Sequence, residues 1–123
     1  MSRKSVLIIE NDPTIRDLMK HALALRGFKV TCVAAGGKAR ERMQKSSFAI
    51  IIADMAAPGV RSEELQAALQ RTMNHTRVIL LASNGDAQNA SSLLGNDAVV
   101  LRKPFLVKDF YHAVERIVPQ RDE

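Results

Sequence analysis

Aromatic residues and cysteine are scarce in this 123-residue sequence: it has no Trp, one Tyr, four Phe and one Cys. So few rings disfavour a base-stacking platform for nucleic acid. A lone thiol, Cys32, cannot form an internal disulfide, and it is expected to act as a small apolar side chain on a strand. No apolar run approaches the roughly 18 residues that a membrane span needs. The basic start Met1-Ser2-Arg3-Lys4-Ser5 is followed by only Val6 to Ile9, too short an apolar stretch for a secretory signal. A cytoplasmic setting and no membrane partner are therefore expected. The three histidines, His21, His75 and His112, have no metal-ligand spacing. What is present is ordinary for a soluble domain: 46% hydrophobic and 25% charged residues, which exclude a disordered tail or a collagen-like fibre. The expectation is one domain over residues 1–123, with its core over about 5–118.

The net charge of +5 is uneven. Residues 1–60 carry ten Lys/Arg against five Asp/Glu, and residues 61–123 carry eight of each. There is no Lys/Arg-rich run and no zinc-finger spacing. A solvated basic face, or an acidic protein partner, accounts for this better than direct nucleic-acid binding.

Four short apolar runs recur along the chain: Val6–Ile9, Ala49–Ala53, Val78–Leu81 and Ala98–Leu101. Continuous runs of this length fit strands covered on both faces, as in a parallel sheet. Phe28–Val33 alternates more, as an edge strand does. Between the strands lie helical periods. Ile15, Leu18, Met19, Ala22 and Leu23 share one face, with Asp12-Pro13 as cap and first residue and Gly27 as stop. Further helices are predicted over 38–45, around Leu65–Thr72, over 87–94, and over Val107–Val118. The Gly36-Gly37 pair reads as a turn. The fold class is α/β: five strand–helix units forming a doubly wound five-stranded parallel sheet. Ligands of such sheets bind beyond the carboxyl ends of the strands.

Those ends carry Glu10, Asn11 and Asp12; Asp54; Ala82, Ser83 and Asn84; and Arg102, Lys103 and Pro104. Oxygen donors from two strands would face a lysine from a third. Hard oxygen donors suit Mg²⁺, which takes one or two carboxylates and keeps several waters. A lysine neutralises a carboxylate or holds a phosphoryl oxygen. Together they suit phosphoryl transfer to Asp54, a chemistry of positioning and charge neutralisation.

Three motifs, in order, carry a resemblance: Val6-Leu7-Ile8-Ile9-Glu10-Asn11-Asp12-Pro13, Asp54-Met55-Ala56-Ala57-Pro58 and Lys103-Pro104-Phe105. With them the chain resembles the receiver domain of bacterial two-component response regulators. The resemblance implies a flavodoxin-like sheet of strand order 2-1-3-4-5. It implies that Asp54 is the phosphoacceptor, attacking a phosphohistidine on a sensor histidine kinase or histidine phosphotransfer protein. It also implies that Glu10, Asn11, Asp54 and the Ala56 carbonyl hold Mg²⁺. Lys103 would contact the phosphoryl group, and the Lys103–Pro104 bond would be cis. The partner would dock over the first helix, where Arg16, Lys20 and Arg26 could steer an acidic surface. A downstream partner or output domain, and a homodimer through helix 4, strand 5 and helix 5, are further implications. The chain would be a signalling module, not an enzyme, either stand-alone or cut from a longer regulator.

Four positions depart from that family's pattern. Asn11 replaces an acid, which predicts weakened Mg²⁺ binding. Ala82 stands where a Thr or Ser binds the phosphoryl group, and Ser83, one place on, would substitute only if the backbone shifted. Val100 stands where an aromatic switch residue is usual. Arg61-Ser62 replaces an Asp-Gly pair, and Arg61 could add positive charge near the site. These departures keep open a pseudo-receiver, a docking or dimerisation module that works without phosphorylation. A flavodoxin-like cofactor binder is disfavoured, because no Gly-rich or Ser/Thr-rich loop follows the first strand.

Overall fold

The computed structural model describes residues 4–83, 85–95 and 98–118. Asn84, named above, and the tail from Pro119 lie outside the described residues. Strands and helices alternate: β1 (Ser5–Ile9), α1 (Pro13–Leu25), β2 (Lys29–Val33), α2 (Gly36–Lys45), β3 (Ile50–Asp54), α3 (Glu63–Thr72), β4 (Arg77–Ala82), α4 (Ala87–Leu94), β5 (Val99–Arg102) and α5 (Val107–Ile117). The strands form one sheet in the order β2-β1-β3-β4-β5, with every pairing parallel.

The apolar runs have the physical origin inferred from them. Successive side chains of a strand point to opposite faces, and here both faces are covered. Leu7, Ile9, Ile51, Ala53, Leu80 and Ala82 pack under α2, α3 and α4. Val6, Ile8, Ile50, Ile52, Ile79 and Leu81 pack under α1 and α5, against Met19, Leu23, Phe110 and Val114. The two edge strands, β2 and β5, are half-exposed along most of their length.

Local chemistry sets the helix ends. The Asp12 carboxylate accepts from the Thr14 and Ile15 amides, and Pro13 opens α1. Gly27, with φ of +84°, leaves the helix in a conformation that other residues adopt at a cost. The Ser62 hydroxyl caps α3 by accepting from the Leu65 N–H at 3.1 Å. Glu63 and Glu64 in that first turn complement the helix dipole.

Two expectations need correction. Leu18 was expected on the buried stripe of α1, but it is 44% exposed. It sits at the margin of the stripe, so only Met19, Ala22 and Leu23 are fully covered. Gly36-Gly37 is not a turn but the first turn of α2. The Gly36 N–H donates to the Pro58 carbonyl at 2.8 Å, which ties α2 to the loop after β3. No helix among the described residues is long and apolar enough to cross a membrane.

Candidate functional site

The parallel sheet brings Glu10, Asp54 and Lys103 together. Ile9 of β1 is level with Ala53 of β3, so the next residues, Glu10 and Asp54, emerge side by side. Ala82 of β4 is level with Arg102 of β5, and the Lys103 N–H donates to the Ala82 carbonyl at 2.8 Å. From there the lysine side chain passes the end of β4. Its Nζ donates to Glu10 Oε1 at 2.7 Å and to Asp54 Oδ2 at 2.9 Å. Glu10 is fully buried and Asp54 is 3% exposed. The second Asp54 oxygen, Oδ1, accepts the Ala56 N–H at 3.1 Å.

Charges this close and this buried perturb one another. Burial, and then a hydrogen bond to Asp54, push the Glu10 carboxyl up to about 7. Burial also pushes the Asp54 carboxyl up, but hydrogen bonds from Glu10, Lys103 and the Ala56 N–H outweigh it and hold it below its usual value. Burial lowers the Lys103 ammonium, yet its contacts with Glu10 and Asp54 keep it above its ordinary value. Near neutral pH the arrangement is an ionised Asp54, a Glu10 that readily takes a proton, and a charged lysine. Ionised Asp54 is the form a nucleophile needs.

The remaining sequence-derived positions fall around this triad. Asn11 is exposed beside Glu10. The Ala56 carbonyl accepts no hydrogen bond among the described residues. Two carboxylates, with the Asn11 amide oxygen and the Ala56 carbonyl next to them in sequence or in the following loop, are hard oxygen donors of the kind that suits Mg²⁺, which takes few carboxylates and keeps its waters. Among the described residues no three His, Cys, Asp or Glu side chains are grouped so as to hold a metal ion by themselves. The Lys103–Pro104 peptide bond is cis. Ala82 is buried and offers only a methyl group. Val100 is half-buried against the α2–α3–α4 core. Ser83 is exposed, and its hydroxyl donates to Asp86 Oδ2 at 3.1 Å rather than to Asp54.

Some contacts were not foreseen. Arg16 donates to the Glu10 carbonyl at 3.3 Å, bracing the end of β1. Arg61 Nε donates to the Met55 carbonyl at 3.3 Å, and its guanidinium pairs with Asp86. In the sequence Arg61 stands out as a departure in the loop that follows Asp54, whereas no local pattern marks Asp86 as its partner. Arg26 is not near the site. It lies past the far end of α1, its guanidinium 3.9 Å from the Tyr111 ring centroid. An apolar hollow of about 280 Å³ adjoins the lysine, lined by Ile15, Leu18, Lys103, Pro104 and Phe105.

A buried carboxylate pair and a lysine thus lie at the carboxyl ends of a 2-1-3-4-5 parallel sheet, which is the flavodoxin-like architecture of receiver modules. A family model for the response regulator receiver domain matches residues 6–115. The chain belongs to that family, and it is a receiver domain of two-component signalling, a class of signalling modules rather than typical enzymes. It is 28% identical over 116 residues to the response regulator receiver protein CpdR of Brucella abortus, across 94% of this chain and 97% of that one. It is 25% identical to the response regulator protein FleR of Pseudomonas aeruginosa, across 90% of this chain but only 24% of that protein. Among solved structures, chemotaxis response regulator CheY4 of Vibrio cholerae superposes with a TM-score of 0.79 at 25% identity, covering 94% of this chain and 99% of that one. A receiver domain protein from Clostridium thermocellum gives 0.80 at 24% identity, covering 93% of each, a likeness of fold alone.

Proposed function

We propose that this receiver accepts a phosphoryl group on Asp54 from a phosphohistidine of a sensor histidine kinase or histidine phosphotransfer protein. The observation that carries this reading is the contact of Lys103 Nζ with Asp54 Oδ2 at 2.9 Å and Glu10 Oε1 at 2.7 Å. It holds an ionised nucleophile beside a fixed cation. An Asp54 oxygen bonds phosphorus as the phosphorus–nitrogen bond breaks, and the electron pair stays on the leaving imidazole. Lys103 then neutralises a phosphoryl oxygen. Glu10, Asn11, Asp54 and the Ala56 carbonyl would hold Mg²⁺, which, when bound, supplies further neutralisation of the phosphoryl charge. The test is intact mass after incubation with acetyl phosphate and Mg²⁺. One added phosphoryl group is expected, lost in Asp54→Asn and without Mg²⁺. No addition to a folded wild type, from acetyl phosphate or from kinase donors, overturns the reading.

Asn11 removes one full negative charge from that donor set. Asn11→Asp is therefore expected to bind Mg²⁺ about tenfold more tightly, equivalent to roughly 1.4 kcal/mol. Titration calorimetry checks this, and an unchanged affinity would remove Asn11 from the site.

The donor's docking surface is the hollow beside Lys103 together with exposed Leu18 and Leu106, which are 44% and 61% exposed. Arg16 and Lys20 flank it on α1 and steer an acidic partner, an effect that salt screens. The downstream partner or output domain would read the α4–β5–α5 face, which is also the face for a homodimer. The setting proposed is the cytoplasm.

A second reading has its own support. Ala82 and Val100 lack the hydroxyl and the ring of the usual switch, and Lys103 satisfies both carboxylates without any metal. A pseudo-receiver that docks or dimerises without phosphorylation uses the same fold. It predicts no mass change in the experiment above.

A further inference from the structure

We propose that Arg61 is a second cationic contact for the phosphoryl group on Asp54, and that its transfer from Asp86 to that group is this chain's own switch. The proposal rests on the phosphoacceptor reading above. Arg61 lies seven residues after Asp54, in the loop between β3 and α3. Its Nε is anchored on the carbonyl of Met55, the residue next to Asp54, so the guanidinium stays within the loop that carries the acceptor. Its outer nitrogen pairs with Asp86 Oδ1, while Asp86 Oδ2 takes the Ser83 hydroxyl. Asp86 starts α4: its carbonyl accepts the Ala90 N–H at 2.9 Å. One side chain thus links the acceptor loop to the beginning of α4.

That link is weak enough to exchange. The Arg61 and Asp86 side chains are 50% and 26% exposed, and ion pairs this open contribute little to stability. A phosphoryl group on Asp54 carries close to two negative charges and three acceptor oxygens. A guanidinium pairs with such a group in a planar, bidentate way. Choosing between one exposed carboxylate and a phosphoryl group a loop's width away, Arg61 moves to the phosphoryl group. Asp86 and Ser83 are then released, and the first turn of α4 loses its tie to β3. Ala82 and Val100 supply no competing hydroxyl or ring, so this exchange is the coupling available between Asp54 and α4.

The test separates Arg61 from the ion pair it makes. Wild type, Arg61→Gln and Asp86→Asn are loaded with acetyl phosphate and Mg²⁺ and followed by intact mass. In that step the donor's phosphorus–oxygen bond breaks, acetate leaves with the electron pair, and Asp54 gains the phosphoryl group. Arg61→Gln is expected to load about tenfold more slowly, the loss of one charge-assisted contact. Asp86→Asn breaks the same pair but frees Arg61, so it is expected to load at or above the wild-type rate. Hydrogen exchange of the α4 amides is expected to quicken in phosphorylated wild type and in unphosphorylated Asp86→Asn alike. A merely structural pair would slow both variants together. Arg61→Gln loading within twofold of wild type, or Asp86→Asn slowed with it, overturns the proposal and leaves the acceptor reading standing. A wild type that takes no phosphoryl group overturns both.

Discussion

Lys103→Met is expected to lower stability by about 3 kcal/mol at pH 8, and by much less at pH 5, in metal-free buffer. Among the described residues the lysine is the only cation that pairs with the side-chain carboxylates of Glu10 and Asp54, and both carboxylates are almost wholly buried. Methionine keeps the length and apolar stem but removes the charge. At pH 8 the folded variant must then hold two ionised carboxylates side by side, or take up a proton to avoid it. Glu10 decides the pH dependence. Its carboxyl is already raised from 4.5 to about 7 with the lysine in place, and losing the lysine raises it further. A group raised on folding contributes its full stability below its unfolded value and loses it as pH rises through the folded one. The deficit therefore grows between pH 5 and pH 8. Asp54, held below its ordinary 3.8, loses its contribution only as pH falls below that value, outside this window. Urea unfolding at the two pH values, with a chelator present, measures the difference. A deficit equal at both would mean that the triad is not the source. Loading by acetyl phosphate is expected to fail in the same variant, since the fixed cation beside the nucleophile is gone.

The sequence discloses this triad because of how a parallel sheet is built. A strand covered on both faces must be apolar throughout, so the first charged residue marks its end: Glu10 after Ile9, Asp54 after Ala53. In β5 the first charged residue is Arg102, the last of the strand, and Lys103 comes immediately after it. All such ends lie on one edge of the sheet, so the residues there become neighbours without any knowledge of side-chain packing. What the sequence hides lacks such a rule. Leu18 belongs to the α1 stripe by period, yet the period does not say how wide a stripe the sheet covers. Ser83 is one place from the position where a hydroxyl would reach Asp54, and that step turns it to Asp86. Arg61 and Asp86 meet only because the loops after β3 and β4 fold toward each other. Both loops follow adjacent strands, but neither carries a pattern that fixes its shape.

Gly36 is the sharpest case of a residue whose requirement is tertiary, and Gly36→Ala is expected to destabilise the fold by about 2 kcal/mol. By helix propensity alone the change should help, since alanine is favoured over glycine by up to about 1 kcal/mol inside a helix. The first turn of α2, however, lies against the loop that leads away from Asp54. A Cβ at Gly36 would sit 2.4 Å from the Gly59 carbonyl oxygen and 2.6 Å from its carbon. Both atoms are backbone, so no rotamer change relieves the clash. Either α2 or the loop must shift, and overpacking of this kind typically outweighs a propensity gain. Gly37, the next residue, is the internal control, because a Cβ there meets nothing within 4 Å. Gly37→Ala is expected to be neutral or slightly stabilising. The pair of variants separates close approach from helix propensity in one thermal-unfolding experiment, and equal effects of the two would exclude close approach as the reason for glycine at 36. The functional consequence follows from which loop must move. Pro58 and Gly59 belong to the acceptor loop, and Met55 and Ala56 of the same loop hold Arg61 and the Asp54 carboxylate. Gly36→Ala is therefore expected to slow phosphoryl loading of Asp54 as well, whereas Gly37→Ala leaves the loop, and the loading rate, as they are.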